Sequence, residues 1–203
     1  MYLTRLKLDI NNRRTMSALA SPNLFHGALE SAFPGERKRR LWRIDTLRQE
    51  TYLMILSEDK PDLSKVAEQF SSPEEKWESL PYEKLLDRIA AGSRWHFRLA
   101  ANPTVKKDNK VMAHITAKYQ REWLMKRAKR LGFRLDEDEF QVTGSHWYRF
   151  RKKREEKQYV SLLAVTFEGT LTVEDPGLFR QTLCRGIGRE KAFGMGLLTV
   201  ARV

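Results

Sequence analysis

The opening of the chain alternates. Leu6, Leu8 and Ile10 fall on one side of an extended segment beginning at Tyr2, and Arg5, Lys7 and Asp9 fall on the other. Period two predicts a half-buried strand. Asn11-Asn12-Arg13-Arg14 breaks the pattern and reads as a loop. Ser21-Pro22 reads as the N-cap and first turn of a helix carrying Leu24, Phe25, Leu29 and Phe33, ending before Pro34-Gly35. Apolar runs at 41–47 and 52–56, joined by a short polar turn, predict a hairpin. Pro61-Asp62-Leu63 opens a short helix through Val66 and Phe70, and one more strand is expected within 71–91.

The second half repeats that order. A strand at 95–101 stops at Asn102-Pro103. A helix at 116–131 places Ala117, Leu124, Ala128 and Leu131 on one face, and Gly132 suits its C-terminal cap. Long strands at 140–150 and 159–171 flank a charged turn, Asp175-Pro176 starts a helix to about Arg185, and 197–203 closes the chain as a strand. Two successive βαββαβ sets predict an α+β protein of tandem ferredoxin-like domains, 1–91 and 92–203, meeting near Ala91-Gly92-Ser93. That fold hosts many functions, so function has to be read from particular residues.

Charge narrows the choice. The 203 residues include 38 Lys and Arg against 26 Asp and Glu, a net charge of +12. Such a surplus favours a polyanionic partner, nucleic acid before an anionic membrane. The single cysteine, Cys184, excludes an internal disulfide and a zinc site built from several thiolates. The four histidines, His26, His96, His114 and His146, lie far apart, so a metal site is not expected. No apolar run reaches signal-peptide or membrane-span length, and a cytoplasmic protein is expected.

Three features carry candidate chemistry. Gly186, Gly188, Gly194 and Gly196 are four of the 11 glycines and fall in one short segment with Arg189 and Lys191. Glycine permits close approach of a ligand to the main chain, so a phosphate-cradling loop is expected. Its place after a helix and before a strand separates it from a dinucleotide fingerprint. Two runs, Arg37-Lys38-Arg39-Arg40 and Arg149-Phe150-Arg151-Lys152-Lys153-Arg154, concentrate positive charge where a polyanion would relieve self-repulsion. His26, early in the first helix, reads by itself as a partly buried structural histidine, but in an RNase without metal it is the natural proton-transfer group, since imidazole gives or takes a proton near neutral pH. His96, His146 and His114 are weaker candidates.

With these residues in view, the chain resembles the CasE family, the CRISPR repeat endoribonucleases of type I-E Cascade complexes. The resemblance runs nearly end to end. It rests on Met1-Tyr2-Leu3-Thr4, the His26 helix, Phe97-Arg98-Leu99-Ala100-Ala101-Asn102-Pro103, and Phe167-Glu168-Gly169-Thr170-Leu171-Thr172-Val173. The most specific match is Gly186-Ile187-Gly188 through Lys191-Ala192-Phe193-Gly194-Met195-Gly196-Leu197-Leu198. It implies a RAMP-type tandem ferredoxin-like fold and cleavage of precursor CRISPR RNA at the 3′ base of the repeat hairpin. It also implies retention of the product alongside other Cascade subunits, without a cofactor or metal. His26 stands at the family's catalytic histidine, and Arg151 and Lys153 in the hairpin that grips RNA. Arg13, Arg14 and Lys191 are expected as transition-state cations. Asn23, Ser31 and Ala100 stand where some relatives carry tyrosine, lysine and arginine. The alternatives are a non-catalytic subunit that binds RNA hairpins and, more remotely, a DNA-binding module.

Overall fold

The computed structural model describes residues 1–33, 38, 40–151 and 159–203. Two sheets organise it. The first half runs β1 (Tyr2–Lys7), α1 (Arg13–Ala20), α2 (Asn23–Ser31), β2 (Leu41–Leu47), β3 (Glu50–Ser57), α3 (Ser64–Phe70) and β4 (Glu78–Pro81), then a single helical turn, α4 (Glu83–Leu86). Its sheet has the order β2-β3-β1-β4. The paired strands are antiparallel, with Leu6 opposite Leu53 and Leu41 opposite Leu56. This is the strand order of a ferredoxin-like βαββαβ unit.

The second half runs β5 (Arg94–Ala101), β6 (Thr104–Lys107), β7 (Lys110–Ala113), α5 (Ala117–Ala128), β8 (Phe133–Arg134), β9 (Phe140–Arg151), β10 (Tyr159–Val173), α6 (Pro176–Arg185) and β11 (Leu198–Arg202). The order is β11-β5-β10, with β9 and the short β8 both pairing β10. Four of these strands repeat the ferredoxin-like order, so the α+β tandem architecture expected from the sequence is present. We propose 1–91 and 92–203 as the topological domains, each holding one βαββαβ set. By compactness the chain divides differently. One unit is Met1–Glu83 with Tyr148–Ser161 and Lys191–Gly194; the other is Lys84–Trp147 with Leu162–Glu190 and Met195–Val203.

In the first unit, one face of β1 and β3 (Leu6, Leu53, Ile55) meets Phe25, Leu29, Val66 and Phe70 from the helices. Phe25 is the hub, with ring centroids 4.8 Å from Phe70 and 5.8 Å from Trp42. In the second unit, Phe133 packs edge-on to Phe179 at 5.5 Å, and Trp123 stacks on Phe167 at 6.3 Å. Gly132 ends the 3₁₀ turn after α5 at φ 84°. A Cβ there would lie 2.5 Å from Asp175 O and Phe179 N, so only glycine fits.

Three local expectations are corrected. Arg13 and Arg14 open helix α1 rather than lying in a loop, because Asn12 Oδ1 accepts a hydrogen bond from Arg14 N at 2.8 Å and caps it. Strand β1 stops at Lys7, and Ile10 is exposed rather than facing the core. Ser21 is not the cap of α2: Pro22 holds that position with no side-chain cap bond, and α2 starts from the backbone bond of His26 N to Pro22 O, 3.1 Å.

Candidate functional site

Helix geometry decides what accompanies His26. On α2 and just beyond it, His26, Leu29, Glu30 and Phe33 recur at i, i+3, i+4 and i+7, which is one face. They line a cleft of about 410 Å³. The neighbouring stripe, Phe25, Ala28 and Ala32, goes to the core. The remaining lining comes from Lys38, Arg40, Trp42 on β2, Ile55 on β3, and Lys191 and Ala192 in a 3₁₀ turn at Lys191–Phe193.

The turn is held by shape. Gly194 has φ 79°, and a Cβ added to it would stand 2.8 Å from Trp42 Cζ3. The bare α-carbon lets residues 191–193 seat against the indole. Phe193 then presents itself to the imidazole: the His26 and Phe193 rings are edge-to-face, centroids 6.4 Å apart. Phe150 backs Phe193 at 5.0 Å. The imidazole is half-buried and opens into the cleft.

Lys38, Arg40 and Lys191 line the same cleft as this ring. The Arg40 guanidinium lies 4.2 Å above the Phe33 ring, with Nη1 3.4 Å from Glu30 Oε1. Lys38 Nζ lies 2.8 Å from Asp59 Oδ2 and 3.7 Å from Glu58 Oε2. The hydrogen bond to Asp59, with the nearby carboxylate charges, holds the Lys38 ammonium above its ordinary pKa. An imidazole with three cations in one cleft can exchange a proton while neutralising an anion.

The ends of β9 and β10 nearest their connection belong to the same compact unit. The Arg149 and Arg151 guanidinium groups lie 4.9 Å and 5.0 Å from the Tyr159 ring centroid. Asn23 Nδ2, one turn before His26, donates to Arg151 O at 3.3 Å. Asn23 therefore ties the histidine helix to the hairpin strand, a link the sequence reading did not supply. Ser31 donates its hydroxyl to Ala28 O at 2.7 Å.

The expected site residues separate into groups. His26, Lys38, Arg40 and Lys191 share the cleft. Arg13 and Arg14 do not line it: they are exposed on the first turn of α1, whose buried side is Thr15 and Ala18. In the segment expected to cradle phosphate, the Gly186 and Gly196 amides donate within the chain, to Thr182 O (2.8 Å) and Ala100 O (2.7 Å). Gly188 packs against the Trp123 ring, with a Cβ position 3.3 Å from Cη2, and Arg189 is exposed. Arg37, Arg39, Lys152 and Lys153 lie outside the described residues. His96 and His146 are exposed on strands, while His114 follows β7 in a separate cleft. Trp42 and Glu30 were missed as lining groups, and Phe193 as the ring beside His26.

Among the described residues no group of three or more His, Cys, Asp or Glu is placed to hold a metal ion. None of their helices is long and apolar enough to cross a membrane.

Fold and cleft together define a class: a tandem ferredoxin-like protein with a histidine set among cations. Residues 1–202 match the family described as CRISPR associated protein, and the chain belongs to that family. It is 32% identical, over 99% of its length and 100% of the relative's, to a CRISPR-associated endoribonuclease, Cse3, of Thermus thermophilus. A solved structure of CRISPR endoribonuclease Cse3 bound to 19-nucleotide RNA superposes with TM-score 0.83 at 30% identity, covering 99% of this chain and 100% of that one. Thermus thermophilus Cse3 bound to an RNA representing a pre-cleavage complex gives TM-score 0.80 at 31% identity, with 98% of both chains covered.

Proposed function

We propose that this protein is an endoribonuclease that cuts precursor CRISPR RNA at the 3′ base of the repeat hairpin and keeps the product within a type I-E Cascade complex. The reading rests above all on His26 lining one cleft with Lys38, Arg40 and Lys191. Whole-length similarity to Cse3 supports the substrate class. A cytoplasmic setting suits that substrate.

The 2′-hydroxyl at the scissile nucleotide attacks the adjacent phosphorus. The new O2′–P bond forms as the P–O5′ bond breaks. His26 serves as base on the 2′-hydroxyl or as acid to the departing 5′-oxygen, and the other proton exchange falls to a second group or water. The products are a 2′,3′-cyclic phosphate and a 5′-hydroxyl. Positioned proton transfer contributes roughly 10²- to 10⁴-fold in rate. Lys191, Lys38 and Arg40 neutralise charge building on the phosphate oxygens. Imidazole and fixed cations supply both kinds of assistance, which supports a metal-independent reaction. Arg149 and Arg151, each about 5 Å from the Tyr159 ring centroid, meet phosphates of the RNA stem in this reading.

The test is incubation with a repeat hairpin in excess EDTA, followed by analysis of the new ends. Cyclic phosphate and 5′-hydroxyl ends are expected. A second reading, a subunit that binds RNA without cutting it, draws on Asn23 and Ser31. Their polar groups bond Arg151 O and Ala28 O. Bound but intact RNA in that assay would establish it.

A further inference from the structure

The most basic stretch of the chain lies away from the residues given a role so far. Positions 104–131 hold nine Lys and Arg against Asp108 and Glu122, seven of the net twelve positive charges. They form β6, β7 and α5 of the second compact unit. Within it is a cleft of about 460 Å³ lined by Lys106, His114, Tyr119, Trp123, Lys126 and Arg127, among others.

The cleft is built by specific bonds. His114 N donates to Pro103 O at 2.9 Å, so the β6–β7 hairpin leaves and rejoins the chain at one point. Gln120, 1% exposed, donates from Nε2 to His114 O at 2.9 Å and Ile115 O at 3.0 Å, pinning that return to α5. Tyr119, Trp123, Lys126 and Arg127 recur at helical spacing and share one face. Arg127 donates to Trp123 O at 3.0 Å and holds its guanidinium 4.2 Å above the indole. His114 stacks beside Tyr119 with centroids 6.0 Å apart, and Tyr119 remains 53% exposed.

One exposed ring, Tyr119, beside Lys106, Lys126 and Arg127 matches one ligand chemistry, with Glu122, 3.6 Å from Lys126 Nζ, as the carboxylate in the lining. A base stacks on the ring while its phosphates meet ammonium and guanidinium groups. A paired base has both faces covered by its neighbours in the helix, so this arrangement favours unpaired nucleotides. We propose that this cleft is a second RNA site, which takes single-stranded RNA through stacking on Tyr119 and phosphate contacts to Lys106, Lys126 and Arg127. The proposal builds on the reading of the chain as an RNA-binding enzyme. It assigns single-stranded RNA to the cleft in the second unit. Burial, with the charges of Arg127 and Lys126, holds the His114 pKa below its ordinary value. The ring is therefore neutral at physiological pH and stacks without adding charge.

The experiment measures binding of an unstructured decauridylate to the full chain by fluorescence anisotropy. It is run alone and with a repeat hairpin carrying a 2′-deoxy scissile nucleotide. Tyr119→Ala should weaken decamer binding about tenfold, within the range for loss of one stacked base, and Tyr119→Phe should restore it. Lys126→Glu should weaken it and flatten its salt dependence. All three should cleave a minimal repeat hairpin at the wild-type single-turnover rate, with unaltered thermal unfolding. Decamer affinity unchanged in both Tyr119→Ala and Lys126→Glu would overturn the assignment. So would competition by uridine monophosphate as effective as by the decamer, which would mark a free-nucleotide pocket. Loss of hairpin cleavage in wild-type protein would count against the endoribonuclease reading and leave this binding measurement standing.

Discussion

The imidazole of His26 stands edge-on to the ring of Phe193, centroids 6.4 Å apart and planes at 67°. One residue comes from α2, the other from a turn near the end of the chain. In the proposed reaction this contact orients the imidazole toward the scissile phosphate. Phe193→Ala should therefore lower the single-turnover cleavage rate by about tenfold, because misplacement on the ångström scale is costly to catalysis. Affinity for a 2′-deoxy hairpin should stay within twofold, and parallel rate and binding measurements check this.

Gly194 makes that contact possible. Gly194→Ala places a methyl group 2.8 Å from the Trp42 ring at a φ of 79°. The expected cost is about 1–3 kcal/mol of stability, read by urea denaturation. Cleavage should fall with it, since the displaced turn carries Lys191 and Phe193. A Gly177→Ala control, where the nearest atom is 3.3 Å away with no left-handed φ, should change both far less.

Arg43 and Asp45 form a buried bidentate pair on β2, Nη2 to Oδ2 at 2.6 Å and Nε to Oδ1 at 2.7 Å. Both side chains are at most 6% exposed. Asp45→Ala leaves a guanidinium without its carboxylate in the interior. The expected loss is about 3–5 kcal/mol, measured by chemical denaturation.

Arg149 and Arg151 should contribute through phosphates. The double substitution to alanine should weaken hairpin binding and reduce the slope of log affinity against log salt by about 1–2. Titrations at three salt concentrations test this. Parallel lines for variant and wild type would exclude phosphate contacts at these positions.

His114 gives a pH signature. Its folded-state pKa lies below the ordinary 6.5, first through burial and then through Arg127 and Lys126. The unfolded chain thus binds the proton more readily. The stability contribution is complete above pH 6.5 and is lost as pH falls through the lower folded value. In His114→Gln, that part of the acid-side loss of stability should disappear, as thermal unfolding from pH 7.5 to 5 would reveal.

Most of the architecture was legible because it rests on long apolar periodicities. The β1 alternation, Gly132 after α5 and Asp175-Pro176 before α6 each state their element locally, although Ala117 of the expected α5 stripe is exposed and Gln120 and Trp123 are buried instead. Asp175 Oδ1 does accept from Leu178 N, at 2.9 Å. Helix α1 was hidden because Asn11-Asn12 signals a loop and a helix cap equally well, and only Thr15 and Ala18 are buried. The β6–β7 hairpin was missed although Asp108 and Asn109 adopt φ 48° and 58°, as residues of a type I′ turn do. Within the cleft, His26 and Lys191 were readable as chemistry, since residue type alone nominates them. Glu30, Trp42 and Phe193 were not, because their role comes from non-local packing. The glycine segment was read as ligand-facing, whereas Gly188 and Gly194 face Trp123 and Trp42.

The central claim is that His26 moves the proton during RNA cleavage. The direct measurement is the single-turnover rate of His26→Ala on a repeat hairpin in EDTA, alongside its affinity for the 2′-deoxy hairpin. The rate should drop by about 100-fold or more, with affinity unchanged. A variant that cuts within twofold of the wild-type rate would contradict the account.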